Sequence, residues 1–486
     1  MADIYEGYVD YLANIKLLFL SFIEDIDMEL SKTPNLLSIN KIEQYFIKLD
    51  NELKENYEIW IDNLFKGINE KFLIAKIREE YKNNNINLKT NRRAPITIQT
   101  LHQKLTINRY SLSPISKSDA DNLLAREGVK NIVPVDIFLG IAALPIKMTV
   151  GAMLKVAEIA QGSSSFISAS SRLRNDFGIK LDPKTIMSVT NHIGEIALQN
   201  EMNRADEIYA RPRRVKLAFP EKKKEGVLYI QVESATVNIR EEDESANSGR
   251  EEIRLGIVYN SYSARASGEM TRRGIAAEGR EIFVKDCVSY VGSLETFQKL
   301  LFACAIRNGY GEYARTALIG DGVDWIRDMK ENLFPDARWI LDFYRLRERV
   351  WDFGKLYFSG VIPAYTKWAK TTCEQLMKSE SKTVVKDAIE KEKEKNIVTN
   401  KLSDYISNNI MNIDYAKYLE DGLDIDGDPI ESANKIFLQR DVKRPGTRWN
   451  LSHARNMVFL RAKMESGKWF GDVVAPVKNF YNIKII

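Results

Sequence analysis

At 486 residues the chain is long enough for two or three domains around a large core, and its 44% hydrophobic and 28% charged residues exclude a disordered or fibrous protein. A net charge of +4 is too small to mark a nucleic-acid binder by itself. No apolar run reaches the roughly 20 residues that a membrane span needs, which excludes an integral helical membrane protein.

Residues 1–88 read as a helical N-terminal region. Apolar positions recur at spacings of three and four in Tyr8-Val-Asp-Tyr-Leu-Ala-Asn-Ile-Lys-Leu-Leu-Phe-Leu20 and in Ile42-Glu-Gln-Tyr-Phe-Ile-Lys-Leu49. Trp60 and Leu64 stand one turn apart, a spacing that suits core or partner-helix packing. The acidic start MADIYEGY occupies the place of a cationic leader segment, so a cytoplasmic, nucleoid-associated protein is expected.

A small β region is expected over 89–135. The helical pattern breaks around Leu88 to Pro95, and alternation in Ile96–Leu101 and Lys104–Tyr110 predicts the two strands of a hairpin. Arg92, Arg93 and Arg109 serve there either as phosphate contacts or as solvated charges.

Residues 136–210 return to helix. Pro145 marks a start and Thr149–Ala160 carries an amphipathic stripe, broken by Gln161-Gly-Ser-Ser-Ser165. Phe166–Phe177 gives a second helix. Gly178–Asp182 closes it, with Asp182 as cap and Pro183 in the first turn of a third. This is the outline of a helix-turn-helix DNA reader, and equally of any three-helix bundle. A basic linker over 211–224 follows, with Arg211, Arg213, Arg214 and Lys222–Lys224. It reads as a tract along a phosphate backbone or as a solvated hinge.

An α/β region is expected over 225–350. Val227–Val232 is a strand ending at Glu233, Ile253–Tyr259 a second, and Ile282 to Val288 a third. An amphipathic helix carries Leu294, Phe297, Leu300, Leu301 and Ala305. Thr316–Gly320 is a fourth strand ending at Asp321, and Trp339–Leu341 a fifth ending at Asp342. This order fits an α/β RNase H-like core, in which acids far apart in sequence converge at strand ends.

The third acid is Glu431, in Asp426-Gly-Asp-Pro-Ile-Glu-Ser-Ala-Asn-Lys435, at the start of an expected helix. Lys435, Arg440, Lys443, Arg444 and Arg448 follow closely, a pattern suited to holding phosphates beside a metal-binding carboxylate. Two divalent ions about 3.5–4 Å apart can serve phosphodiester chemistry, and magnesium needs only hard oxygen ligands. The candidate catalytic and metal-binding set is therefore Glu233, Asp321 and Glu431, with two Mg2+ ions or Mn2+ in their place. His102, His192 and His453 are too few for imidazole-rich metal chemistry and read as structural or surface groups. Cys287, Cys304 and Cys373 show neither pairing nor CxxC spacing, and no P-loop or Rossmann glycine signature is present.

Three separated motifs carry a resemblance. Gly320-Asp-Gly-Val-Asp-Trp-Ile326, Phe334-Pro-Asp-Ala-Arg-Trp-Ile-Leu-Asp-Phe-Tyr344, and Pro429-Ile-Glu-Ser-Ala-Asn-Lys435 running on to Gln439-Arg440 and Lys443-Arg-Pro-Gly-Thr-Arg-Trp449 resemble the Mutator-related DDE insertion-sequence transposases of the ISKra and ISLre kind. The resemblance covers roughly residues 95–470. It implies that Asp321 and Glu431 are the second and third catalytic acids, and that 351–423 is an all-α insertion returning to the core at 424–486. The charged run Lys386–Lys395 within it reads as a solvated helix. The implied partners are double-stranded DNA, as transposon ends and target, and further copies of the chain on that DNA, with no membrane.

Departures from the family pattern matter. Glu233-Ser234 stands where relatives have Asp-Gly, and Asp342-Phe-Tyr-Arg345 where they have Asp-x-Tyr-His. No cysteine follows Arg109-Tyr110, so no zinc is expected. The alternative function is a catalytically weakened or inactive transposase-derived DNA-binding protein.

Overall fold

The computed structural model describes residues 70–101, 104–141, 144, 146–210, 224–240, 249–260, 264–267, 279–282, 285–426, 430 and 448–482, with isolated positions between 17 and 47. The expected N-terminal helices, Trp60, Leu64, His102, Pro145 and most of the basic linker lie outside the described residues. The chain forms two compact units, one of residues 1–159 and 166–189, the other of 160–165 and 190–486.

In the first unit, helix α1 (Glu70–Lys82) accompanies an antiparallel hairpin of β1 (Leu88–Gln99) and β2 (Lys104–Pro114). Ile96 pairs with Ile107 and Ile98 with Leu105, and these residues share one core with Leu73 and Val135. A second core gathers Ile74, Tyr81, Ile86, Leu88, Leu112, Leu123 and Ile132. The strands are longer than the alternation predicts, because β1 runs through Arg92-Arg-Ala-Pro95 with a register shift between Thr90 and Arg93. Two of the three candidate phosphate-binding arginines are committed inside the unit. Arg109 forms a two-pronged pair with Asp136 at 2.6 and 3.1 Å, and Arg93 bonds Glu70 at 2.8 Å.

Helices α2 (Lys117–Glu127) and α3 (Pro134–Phe138) precede α4 (Val150–Gln161), α5 (Phe166–Phe177) and α6 (Pro183–Ala210). Gly178 ends α5 at φ 68°, a left-handed conformation that a side chain would strain. Asp182 caps α6, accepting from the backbone N–H of Lys184 and Thr185 at 3.0 Å each.

The second unit is built on a mixed five-stranded sheet. Its strands are β3 (Lys224–Asn238), β4 (Arg250–Asn260), β7 (Asp286–Val291), β8 (Tyr313–Gly320) and β9 (Arg338–Leu341). They lie in the order β7-β4-β3-β8-β9. β4 runs antiparallel to both β7 and β3, while β8 and β9 run parallel to β3 and to each other. A separate two-stranded ladder joins β5 (Ala264–Ser267) to β6 (Gly279–Ile282), so the expected third strand divides between β6 and β7.

The runs Val227–Val232 and Ile253–Val258 are buried almost without a break, as strands covered on both faces must be. On one face α7 (Leu294–Arg307) presses on β4 at Gly256, where a Cβ would lie 2.6 Å from Leu301. The core containing Tyr229, Leu255, Ile257 and Ile319 extends to Leu451, Ala454 and Val458 of α14 (Leu451–Glu465).

Between β8 and β9 lies α8 (Asp324–Leu333). After β9 the chain is helical: α9 (Phe343–Tyr357), α10 (Ile362–Met377), α11 (Ser381–Glu394), α12 (Leu402–Asn408) and α13 (Tyr415–Glu420). Helix therefore begins before residue 351. The charged run is not wholly solvated either, since Glu392 is buried and accepts from the backbone N–H of Ser403 at 2.9 Å. A short α15 (Ala475–Phe480) closes the described chain. No helix among the described residues is long and apolar enough to cross a membrane.

Candidate functional site

Strand register brings three acids into one row. Val232 of β3 pairs with Gly320 of β8, and Gly320 pairs with Leu341 of β9. The residues that follow are Glu233, Asp321 and Asp342. Neighbouring strands lie about 4.8 Å apart, so two of the three sequence-predicted acids, Glu233 and Asp321, stand side by side. The expectation that β3 stops at Glu233 is corrected: β3 continues to Asn238, held by β4 through the pair Asn238–Arg250. Glu233 thus sits where parallel pairing ends but antiparallel pairing persists.

The three carboxylates have different partners. Asp342 caps α9, accepting from the Tyr344 N–H at 2.9 Å, while its own N–H donates to the Gly320 carbonyl at 2.9 Å. Glu233 is buried and ion-paired with the guanidinium of Arg345, from the first turn of α9. Arg345 also reaches Glu348 at 2.8 Å. Burial alone would lower the pKa of Arg345, but Glu233, Glu348 and Asp342 outweigh it and hold the pKa above its ordinary value.

Asp321 is less well provided for. Burial raises its pKa, opposed by Arg345, the Val323 N–H and Arg349, and reinforced by Glu252. Its Oδ1 is buried and accepts no hydrogen bond among the described residues. Beside it, Gly322 lies under the amide of Asn409, where a Cβ would come 2.6 Å from Nδ2. A glycine is required by that approach. Asn409 is 1% exposed; its Nδ2 donates to the Tyr405 carbonyl at 2.9 Å, and its Oδ1 is buried with no hydrogen-bond partner among the described residues. Arg349 stacks 5.4 Å from the Tyr405 ring centroid.

Glu431 lies outside the described residues, as do Lys435, Arg440, Lys443, Arg444, Arg211, Arg213 and Arg214. The approach to Glu431 is described, and it docks on β3. Tyr229 Oη accepts from the Asp424 N–H at 3.1 Å, and Gln231 Oε1 accepts from the Ile430 N–H at 3.1 Å. Gln231 Nε2 donates to the Asp426 carbonyl at 3.2 Å and to Tyr259 Oη at 2.9 Å. Arg448 is exposed, and its neighbour Trp449 donates to the Asn238 carbonyl at 3.0 Å, beyond the site on the same strand.

A pair of divalent ions does not fit the described residues as they stand. The bare Oδ1 of Asp321 suits a hard cation, but the Glu233 carboxylate is held by a guanidinium. No three His, Cys, Asp or Glu side chains among the described residues converge closely enough to hold a metal. His192, by contrast, bonds Tyr481 Oη at 2.6 Å, a structural contact. Arg345, Asn409, Tyr405 and Gln231 belong to this site although periodicity does not mark them. The one sequence signal was Arg345, which departs from the histidine that the resemblance implies at that position.

No family model matches the chain, and no curated protein matches it. Among solved structures, the Drosophila P element transposase strand transfer complex aligns over 75% of this chain and 88% of that one, at 8% identity. Its TM-score is 0.23, too low for a shared fold to be read from it.

Proposed function

We propose that this protein acts on DNA phosphodiesters as a DDE-type transposase built on an RNase H-like sheet. The observation that carries the reading is the row formed by Glu233 and Asp321 just where the parallel pairing of β3 and β8 ends, the edge at which open α/β sheets bind their ligands. The sheet order supports it: three antiparallel strands, then two strands parallel to the first, is the arrangement the motif order predicts for that core. Docking of Asp424–Asp426 and Ile430 onto Tyr229 and Gln231 supports Glu431 as the third acid, since Ile430 precedes it by one peptide bond. On this reading α4, α5 and α6 contact duplex DNA, the cations following Glu431 hold its backbone, and copies of the chain assemble on the transposon ends. Magnesium, or manganese in its place, is the expected metal.

A second reading has its own observation. The ion pair between Arg345 and Glu233 neutralises the carboxylate that catalysis would need, which favours a DNA-binding descendant without catalysis.

Supercoiled-plasmid nicking and duplex binding by the natural protein and by Asp321→Asn separate these readings. The transposase reading predicts Mg2+-dependent nicking that Asp321→Asn loses while binding stays equal or tightens, because backbone contacts by many cations do not depend on that acid. Binding without nicking by either protein selects the second reading. Nicking that persists in Asp321→Asn removes Asp321 from the chemistry.

A further inference from the structure

We propose that the exposed face of the β1–β2 hairpin docks in the major groove of duplex DNA, with Lys89, Arg92 and Lys104 on its phosphates. This contact lies beyond the helices and the cations after Glu431 named above, and it holds whether or not Asp321 takes part in chemistry.

Charge points to a polyanion. From Asn83 to Lys117 the sequence holds no aspartate or glutamate, in a chain with 67 acids among 486 residues, and both strands lie inside that stretch. The helices that share cores with the strands are mixed in charge. Among its cations α1 carries Glu70, Glu79 and Glu80, and α2 carries Asp119, Asp121 and Glu127. Glu70 and Asp136 of α3 are committed to Arg93 and Arg109, which fastens the hairpin to its unit. Lys89, Arg92 and Lys104 are exposed and form no ion pair among the described residues.

Register sorts the two faces of the ribbon. Ile96, Ile98, Leu105 and Ile107 belong to the core, so Thr97, Thr106 and Asn108 between them occupy the opposite face, and all three are exposed. Thr97 and Thr106 share a hydrogen bond across the ladder at 3.0 Å. Lys104 follows the same alternation beside the turn, while Arg92 stands in the register shift between Thr90 and Arg93, toward the other end. Cations at both ends of an uncharged, hydrogen-bonding strip suit a groove reader: phosphate contacts position the element, and short polar side chains meet base edges. Two strands about 4.8 Å apart make a ribbon that the major groove of B-DNA, about 12 Å wide, admits. The deep, narrow major groove of an RNA duplex does not admit it.

The test is fluorescence anisotropy of the full chain on a labelled DNA duplex across a salt series. Lys89→Gln, Arg92→Gln and Lys104→Gln combined should bind more weakly. The slope of log affinity against log salt should become shallower by about 1 for each cation that meets a phosphate, hence by about 3 in this variant. The same change at Lys71, Lys76 and Lys82, exposed cations of α1, removes equal charge elsewhere on the unit and should leave the slope unchanged. Lys89→Arg, Arg92→Lys and Lys104→Arg combined should keep it too, and circular dichroism checks that each variant folds. On an RNA duplex of the same sequence the first variant should bind as the natural protein does. No binding of duplex DNA by the natural protein, an unchanged slope in the first variant, or an equal loss in the α1 control overturns the docking surface. A loss of the same size on the RNA duplex overturns the major-groove fit. Nicking that persists in Asp321→Asn, which would remove the acid site, alters none of these outcomes.

Discussion

At Asp321, burial acts against the charged carboxylate, and the guanidinium groups of Arg345 and Arg349 act for it; burial wins and the pKa rises. The folded protein therefore keeps this proton over a pH range in which the unfolded chain has lost it. Stability contributed by the protonated form is full below the unfolded carboxylate pKa and is lost as pH rises through the raised folded value. At neutral pH the ionised group is a cost to the fold. Asp321→Asn should then stabilise the fold at pH 7 by about 1 kcal/mol, the scale usual for replacing a functional polar group. In a thermal melt this appears as a rise of about 1–2 °C that shrinks as pH falls toward 4. A lower melting temperature would mean that the carboxylate is structural. The acids at 233 and 321 were legible in the sequence because each follows an apolar run that only a buried strand explains. Arg345 as the partner of Glu233 was not: the two are 112 positions apart, and no periodicity links a helix's first turn to a strand two places away in the sheet.

Elements carry the site as much as residues do. Gln231 is fully buried in β3 and spends both ends of its amide on other segments, the Ile430 N–H on one side and the Asp426 carbonyl and Tyr259 hydroxyl on the other. It thereby pins the stretch that leads to Glu431 beside the strand that bears Glu233. Replacing it with leucine keeps much of the volume but removes the acceptor of the buried Ile430 N–H. Gln231→Leu should cost about 1–3 kcal/mol in urea unfolding, the scale for a stranded buried group. It should also raise amide hydrogen exchange at 424–430 well above that of β4. Unchanged exchange there would mean that the segment is held by other contacts. A strand sequence of apolar residues around one glutamine reads as β in either case, so the sequence marked the strand but not the clamp. Element boundaries were less legible for a related reason. β3 outruns its apolar stretch because pairing with β4 and Trp449 extends it through polar residues, and tertiary pairing is invisible to local pattern.

Across the second unit, a buried ionic network ties distant helices together. Lys463 of α14, 2% exposed, bonds Glu201 of α6 at 3.0 Å and Asp472 at 2.8 Å, while Arg307 at the end of α7 bonds Glu201 at 2.6 Å. Burial alone would lower the pKa of Lys463, but Glu201, Asp472 and Asp286 outweigh it and raise it. Its contribution is therefore full below the unfolded lysine pKa and disappears only as pH climbs through the raised folded value. Lys463→Ala removes a buried cation shared by Glu201 and Asp472, each of which keeps an arginine partner, and should cost about 3 kcal/mol at neutral pH, the low end for a broken buried pair. Arg204→Ala, whose side chain is 41% exposed, should cost under about 1 kcal/mol. Equal losses in chemical unfolding would refute the burial argument. None of this network was legible in the sequence, because no local pattern links positions 201, 307, 463 and 472. The sheet that it supports was legible in order and count, because apolar runs bounded by polar turns leave few other assignments.

The claim on which the account turns is that Glu233 and Asp321 form a cation-dependent site for DNA phosphodiesters. A crystal structure of the full chain with duplex DNA and Mn2+, read by anomalous scattering, tests it most directly. The account predicts a manganese peak on the Asp321 and Glu233 carboxylates, with Glu431 beside them. DNA bound with no manganese at Asp321 would contradict it.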